Sequence, residues 1–291
     1  MAIPMLGIIG GSGLGEALGV LGGTPTRLDT PFGPPSGPIV CTTLDGMQVA
    51  LLARHGEGHV HNPSQVPSRA NIFALKTLGV THVLASAAVG SLHEDVRPRD
   101  LVIPDQVIDR TYRRPGTFFD ALAVHVEFAV PFCPTLRSAL LALPSSTKVH
   151  PRGTYVCMEG PQFSTRAESE LHRSWGADLI GMTLMPEAKL AREAELCYAA
   201  VCLPTDYDCW RPTPDDLDKH ALLREILGNL QAATAAALSL LRLAVPAVKA
   251  LARTGCHCQS ALAQAIWTER ARIPADVRNR LGPLLGRYLD G

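Results

Sequence analysis

The sequence predicts an α/β protein: a single domain with a central mixed, largely parallel sheet flanked by helices, followed by a helical C-terminal tail. Three observations carry this. Apolar runs rich in β-branched residues recur and are continuous rather than alternating, as expected of strands buried on both faces. Helical patterns lie between several of them. A long Ala/Leu-rich stretch then leads into a tail punctuated by Pro246 and Gly255.

Strands are expected near residues 5–9, 39–43, 49–53, 82–88, 101–103, 154–157, 179–182 and 197–203. One helix is expected over 66–78. A second, over 164–175, starts on Ser164 as its cap. A third, over 186–196, has Pro186 in its first turn with Glu187 behind it. The longest is expected over 218–243. Residues 1–250 read as the main domain and 251–291 as a helical extension packed on it. The segment 232–251 is the most lipid-like, but Arg242, Pro246 and Lys249 interrupt it, which suits a packed soluble helix.

The 291 residues balance 27 basic against 27 acidic side chains, so no basic footprint for nucleic acid is present. Hydrophobic residues are 46%, enough to fold around a core. The opening apolar stretch is short, lacks a basic residue before it and runs into a glycine cluster. It reads as a first buried strand rather than a leader. Six of the 8 cysteines are spread along the chain, several in apolar runs, which suits reduced thiols and a cytoplasmic location.

Four motifs carry chemistry. Gly10-Gly11-Ser12-Gly13-Leu14-Gly15 follows the first strand directly, where glycines let the backbone approach an anion and Ser12 adds a hydroxyl. It is a poor dinucleotide fingerprint, because Gly19, Gly22, Gly23 and Pro25 break up the helix such a site needs. Arg54-His55 leaves the end of a strand, and the planar fork of Arg54 matches phosphate. His55, His59 and His61 offer too few partners at ligand spacing to read as a metal site. Asp206-Tyr207-Asp208 leaves another strand end, where a carboxyl beside apolar strand has a raised pKa and can give up a proton. An acidic turn is an equal reading. Cys256-His257-Cys258 lacks the two-residue spacing of a zinc knuckle, and the tail holds no second pair, so a structural loop is preferred to a metal site.

In order along the chain, Ile8-Ile9-Gly10-Gly11-Ser12-Gly13-Leu14, Asp29-Thr30-Pro31-Phe32-Gly33, Leu52-Ala53-Arg54-His55-Gly56, Glu159-Gly160-Pro161-Gln162-Phe163-Ser164 and Thr205-Asp206-Tyr207-Asp208-Cys209-Trp210 resemble the trimeric purine nucleoside phosphorylases, in their methylthioadenosine phosphorylase branch. The resemblance implies a nucleoside phosphorylase-like fold and phosphorolysis of 5′-methylthioadenosine to adenine and 5-methylthioribose 1-phosphate. Inorganic phosphate is then the co-substrate, with no cofactor and no metal, and with no nucleic-acid or membrane partner. It places phosphate against Ser12, Arg54, His55, Ala87, Ala88 and Thr183. It places base and ribose between Phe163 and Met182, and the alkylthio group against Leu222 and Leu223. Asp206 relieves the leaving purine and Asp208 accepts from its 6-amino group. His125 resembles a residue lent by a neighbouring subunit, so a homotrimer, or a hexamer of two, is implied. A related tail in prokaryotic members makes a structural role or a local disulfide the expectation for Cys256 and Cys258.

The chain departs from that pattern at Ala87, where relatives often have Thr, and at Gly181, where Asn is commoner. The alternative within the family is a phosphorylase for 6-oxopurine nucleosides such as inosine or methylthioinosine, which Asp206 disfavours. A nicotinamide oxidoreductase built on the glycine loop finds no support beyond Gly15. A non-catalytic binding protein is disfavoured by the retained Arg54, Thr183 and Asp206.

Overall fold

The computed structural model describes residues 5–211 and 219–289. In chain order the strands are β1 (Met5–Gly10), β2 (Thr24–Thr26), β3 (Ile39–Leu44), β4 (Met47–Ala53), β5 (Val80–Ser91), β6 (Leu101–Val102), β7 (Gln106–Asp109), β8 (Val149–His150), β9 (Thr154–Cys157), β10 (Leu179–Gly181) and β11 (Cys197–Asp206). The helices are α1 (Leu14–Leu18), α2 (Ser68–Thr77), α3 (Pro134–Leu141), α4 (Arg166–Ser174), α5 (Leu184–Glu193), α6 (Lys219–Leu251), α7 (Ala275–Arg280) and α8 (Gly282–Leu289).

The strands form one mixed sheet in the order β2-β3-β4-β1-β5-β10-β9-β7, with β11 beside β5 and β6, and β8 on β6. The central pairs β1/β4, β1/β5 and β11/β5 are parallel. Strand β1 is buried along its whole length, so its continuous MLGIIG run has apolar neighbours on both faces. Strand β5 is the spine. It pairs β1 along one edge and β11 along the other, and its last two residues turn to β10 in antiparallel register.

Helix α6 lays Ala233, Ala237, Leu240, Leu241, Ala244, Val245 and Val248 into a buried cluster that includes Ala199, Val201 and Leu203 of β11. Each fully buried Leu there contributes about 1.5–3 kcal/mol. By length and composition α6 could cross a membrane; here its apolar face is spent on the sheet. Pro246 lies inside the helix and does not end it, contrary to the expectation from sequence. The packed face on both sides of it outweighs one lost backbone hydrogen bond. The expected start at Asp218 falls outside the described residues. Helix α4 is capped by Thr165 rather than Ser164. Thr165 and Glu168 form a capping box, Glu168 N–H donating to Thr165 Oγ1 at 3.2 Å. The tail returns to the body of the domain: Leu262, Ile273, Val277, Leu281, Leu284 and Leu285 share one buried cluster with Ile72, Leu75 and Leu196.

Candidate active site

Parallel register brings the carboxyl ends of four strands together. Gly10 pairs with Ala53, Ile9 with Ala85, and Asp206 with Gly90. The loops leaving β1, β4 and β11, the end of β10 and the last residues of β5 therefore face one space, where an open α/β sheet places ligands. That space is a cavity of about 510 Å³. One end is lined by Gly11, Ser12, His55, Ala87, Ala88 and Thr183, the other by Gly90, Asp206 and Asp208. Phe163 and Met182 lie between, and Leu223, Ile226 and Leu230 of α6 form a side wall.

Arg54 is not among the lining residues and stands just behind them. It is 1% exposed and lies behind Gly11. Nε and Nη2 donate to the two oxygens of Glu187, each at 2.8 Å, and Nη1 donates to the Ser86 carbonyl at 2.6 Å. Tyr198 donates its hydroxyl to Glu187 Oε1 at 2.7 Å. Burial alone would lower the Arg54 pKa. The Glu187 charge and hydrogen bonds outweigh it and hold the group above its ordinary range. Gly11 is required for this arrangement: a Cβ there would lie 2.7 Å from Arg54 Nη1 and from the Ser86 oxygen. Its N–H donates to Ser86 Oγ at 3.0 Å, so the glycine loop is pinned to β5. The charged pair forms a fixed floor beneath the Ser12 end.

His55 is 6% exposed and stacks on His59 at 4.1 Å between centroids. Its Nδ1 lies 2.8 Å from the His61 carbonyl, so Nδ1 carries the proton and Nε2 is the free nitrogen. Burial first, then the Arg54 charge, push the imidazole down to about 4. The unfolded value is about 6.5, so between these values the unfolded chain binds the extra proton. The His55 contribution is therefore complete above about pH 6.5 and fades as pH falls toward 4, with a limiting slope of about 1.4 kcal/mol per pH unit. Melting temperature measured across that window is expected to fall more steeply for the native chain than for His55→Asn, which keeps a donor for the His61 carbonyl.

At the opposite end Asp206 accepts from Thr205 Oγ1 at 2.6 Å and from the Asp208 N–H at 2.7 Å. Burial raises its pKa, the neighbouring Asp208 charge adds to this, and the two hydrogen bonds oppose it; the net shift is upward. A carboxyl so placed is predisposed to carry a proton.

The apolar wall distinguishes the two leucines expected to meet the alkylthio group. Leu223, Ile226 and Leu230 follow the helical repeat and line the cavity together, whereas Leu222, one residue out of phase, does not. Asn229 fixes the phase by donating to the Thr205 carbonyl at 2.9 Å. Phe163 lines the cavity yet is 86% exposed, so it stands at the mouth. His125 also lies outside the cavity of its own chain. It is exposed, with its ring against Trp267 at 4.7 Å.

Gly181 has a structural reason: the Tyr155 ring and hydroxyl occupy the place of any side chain there. The Tyr155 hydroxyl in turn accepts from the Thr183 N–H at 3.2 Å. Sequence reasoning missed Glu187, Arg114 and Glu159. Arg114 is almost wholly buried, pairs with Glu159 and donates to the carbonyls of Met182 and Met185. It ties the 158–163 loop to the strand end bearing Met182. Burial alone would raise Glu159, but hydrogen bonds from Ser64 and the Tyr112 N–H, with the Arg114 charge, hold it at about 2.

The profile of the Phosphorylase superfamily matches residues 5–245, sheet and cavity included, and the chain belongs to that superfamily. Its relatives narrow the branch. The chain is 46% identical over 289 residues to the S-methyl-5′-thioadenosine phosphorylase of Geobacter sulfurreducens, covering 98% of this chain and 99% of the relative. It is 48% identical over 286 residues to the Koribacter versatilis protein of the same name, covering 97% and 96%. Among solved structures, a methylthioadenosine phosphorylase from an Antarctic soil metagenomic library superposes with a TM-score of 0.84 at 45% identity, covering 96% of this chain and 98% of that one. The Schistosoma mansoni methylthioadenosine phosphorylase in complex with adenine gives 0.83 at 33% identity, covering 91% and 99%.

Proposed function

We propose that this chain catalyses the phosphorolysis of 5′-methylthioadenosine to adenine and 5-methylthioribose 1-phosphate. The observation that carries this is the single cavity joining an anion-suited end to a buried carboxyl pair along an apolar helix face. The names of the relatives agree with it.

Phosphate sits between Ser12, His55 and Thr183. The hydroxyls of Ser12 and Thr183 donate to its oxygens. Neutral His55, with Nδ1–H committed to His61, accepts a hydrogen bond at Nε2 from a protonated phosphate oxygen. Arg54 acts from behind Gly11, fixing the loop through Glu187 and Ser86 rather than touching the anion. The nucleoside places its base toward Asp206 and Asp208 and its sugar beside Met182. Breaking the N-glycosidic bond builds positive charge on the ribose, which the phosphate oxygens stabilise before one of them attacks the anomeric carbon. The departing purine gathers negative charge, and protonated Asp206 relieves it at the imidazole nitrogen. Asp208 accepts from the 6-amino group; a 6-oxo base would set two acceptors against each other, leaving a buried group unpaired. Leu223, Ile226 and Leu230 offer the 5′ end an apolar wall, which favours a methylthio group over a hydroxyl.

The oligomer belongs to the same proposal. His125, exposed and outside its own cavity, would serve a neighbouring subunit's site, and a solution mass of three chains, or six, is expected by sedimentation. The reaction itself is tested by incubating the protein with 5′-methylthioadenosine, with and without phosphate, and following adenine. Release that requires phosphate and runs faster than from adenosine or inosine is expected. Equal release without phosphate would make the protein a hydrolase, and preference for inosine would move it to the 6-oxopurine branch.

A further inference from the structure

The Cys256-His257-Cys258 motif does not stand alone in the folded chain. Cys133, the N-cap residue of α3, and Cys197, the first residue of β11, meet it from distant parts of the sequence. The four sulfur atoms all lie within 4.8 Å of one another, and the Sγ atoms of Cys133 and Cys256 are 3.7 Å apart. We propose that Cys133, Cys197, Cys256 and Cys258 form a tetrathiolate site for a divalent zinc ion that clamps the C-terminal segment to the sheet.

The spacing discriminates between uses of four thiols. Tetrahedral zinc with Zn–S bonds of about 2.3 Å has sulfur–sulfur edges of about 3.8 Å. A disulfide needs about 2.05 Å. Thiols that merely fill a core have no reason to converge four together from three separate segments. The donor set is all soft sulfur, which selects zinc over magnesium or calcium. Cys133, Cys197 and Cys258 are at most 1% exposed, while Cys256 is half-buried and leaves the ion a path from solvent. Four thiolates on one zinc carry net negative charge. The first turn of α3 faces it, with the Leu136 N–H donating to Cys133 Sγ at 3.5 Å. Loading is a simple exchange: one zinc ion enters and each protonated thiol gives up its proton, with no change of oxidation state.

The site anchors the stretch of chain beyond Cys258. There the Leu262 N–H donates to Glu195 Oε1 at 2.9 Å. The Ala265 carbonyl accepts from the His125 N–H at 2.9 Å, and the Trp267 ring packs on His125. The ion therefore braces the segment that backs His125 and is remote from the reacting atoms.

The test is metal analysis of the full-length protein, purified with a phosphine reductant and no chelator. One equivalent of zinc per chain is expected, falling to background in the Cys256→Ser/Cys258→Ser variant. Cobalt loaded into the stripped native protein is expected to show the visible bands and thiolate charge-transfer absorption of a tetrahedral sulfur site. Stripping zinc should lower the melting temperature, and adding zinc back should restore it. Should the double variant fold poorly, Cys256→Ser alone, at the half-buried position, gives the same reading with a weakened cobalt spectrum. Reduced native protein that holds no metal and takes up none, with all four thiols open to titration after unfolding, overturns the proposal. So does a native mass short by two hydrogens per cysteine pair, which would show disulfides instead.

Discussion

Replacing Asp206 by Asn is expected to lower kcat for 5′-methylthioadenosine by a factor of about 10²–10⁴, the usual scale for loss of a positioned proton donor. The amide is nearly isosteric. It can keep the hydrogen bond from the Asp208 N–H at its oxygen, so folding and substrate affinity should change little. What it loses is an ionisable proton held in place by burial and by the nearby Asp208 charge. The expected signature is a fall in kcat with KM almost unchanged, together with loss of the alkaline limb that Asp206 imposes on the pH–rate profile. Unchanged turnover of the 6-aminopurine substrate would remove Asp206 from the chemistry.

Arg54→Met is expected to act on stability before activity. It leaves the Glu187 carboxylate buried, with the Tyr198 hydroxyl as the remaining side-chain donor among those described. Breaking a buried pair from one side costs about 3–5 kcal/mol, read as a lower denaturation midpoint. Arg54→Met combined with Glu187→Met removes both charges and should recover most of that loss, since apolar replacement of a whole buried pair is often neutral. The double variant should still show weakened phosphate binding, because Ser86, whose hydroxyl holds the Gly11 N–H, has lost the hydrogen bond from Arg54 Nη1 to its carbonyl. A single variant as stable as the native chain would mean the pair contributes nothing to the floor.

Much of this is legible in the sequence because strand ends announce themselves. Continuous apolar runs give way abruptly to Gly11-Ser12, Arg54-His55 and Asp206-Tyr207-Asp208, and parallel strands bring such exits to one edge. The short strands β2, β7 and β8 carry polar residues and have no such run. The place of Arg54 is hidden because its partner Glu187 lies 133 residues away, and nothing local tells a guanidinium committed to a buried carboxylate from one facing solvent. Leu222 looks equivalent to Leu223 because residues 219–223 alone do not fix helical phase. The buried Asn229 and the repeat through Ile226 and Leu230 do. Along the tail the cysteines show only as a pair, while the fold supplies the other two from α3 and β11.

The central claim is that anion and purine occupy the two ends of one cavity. A crystal structure with phosphate and an uncleavable 5′-methylthioadenosine analogue tests it most directly. Phosphate should lie among Ser12, His55 and Thr183, with the purine edge against Asp206 and Asp208 and the methylthio group on Leu223 and Ile226. A purine bound away from Asp206, or phosphate outside the glycine loop, would contradict the account.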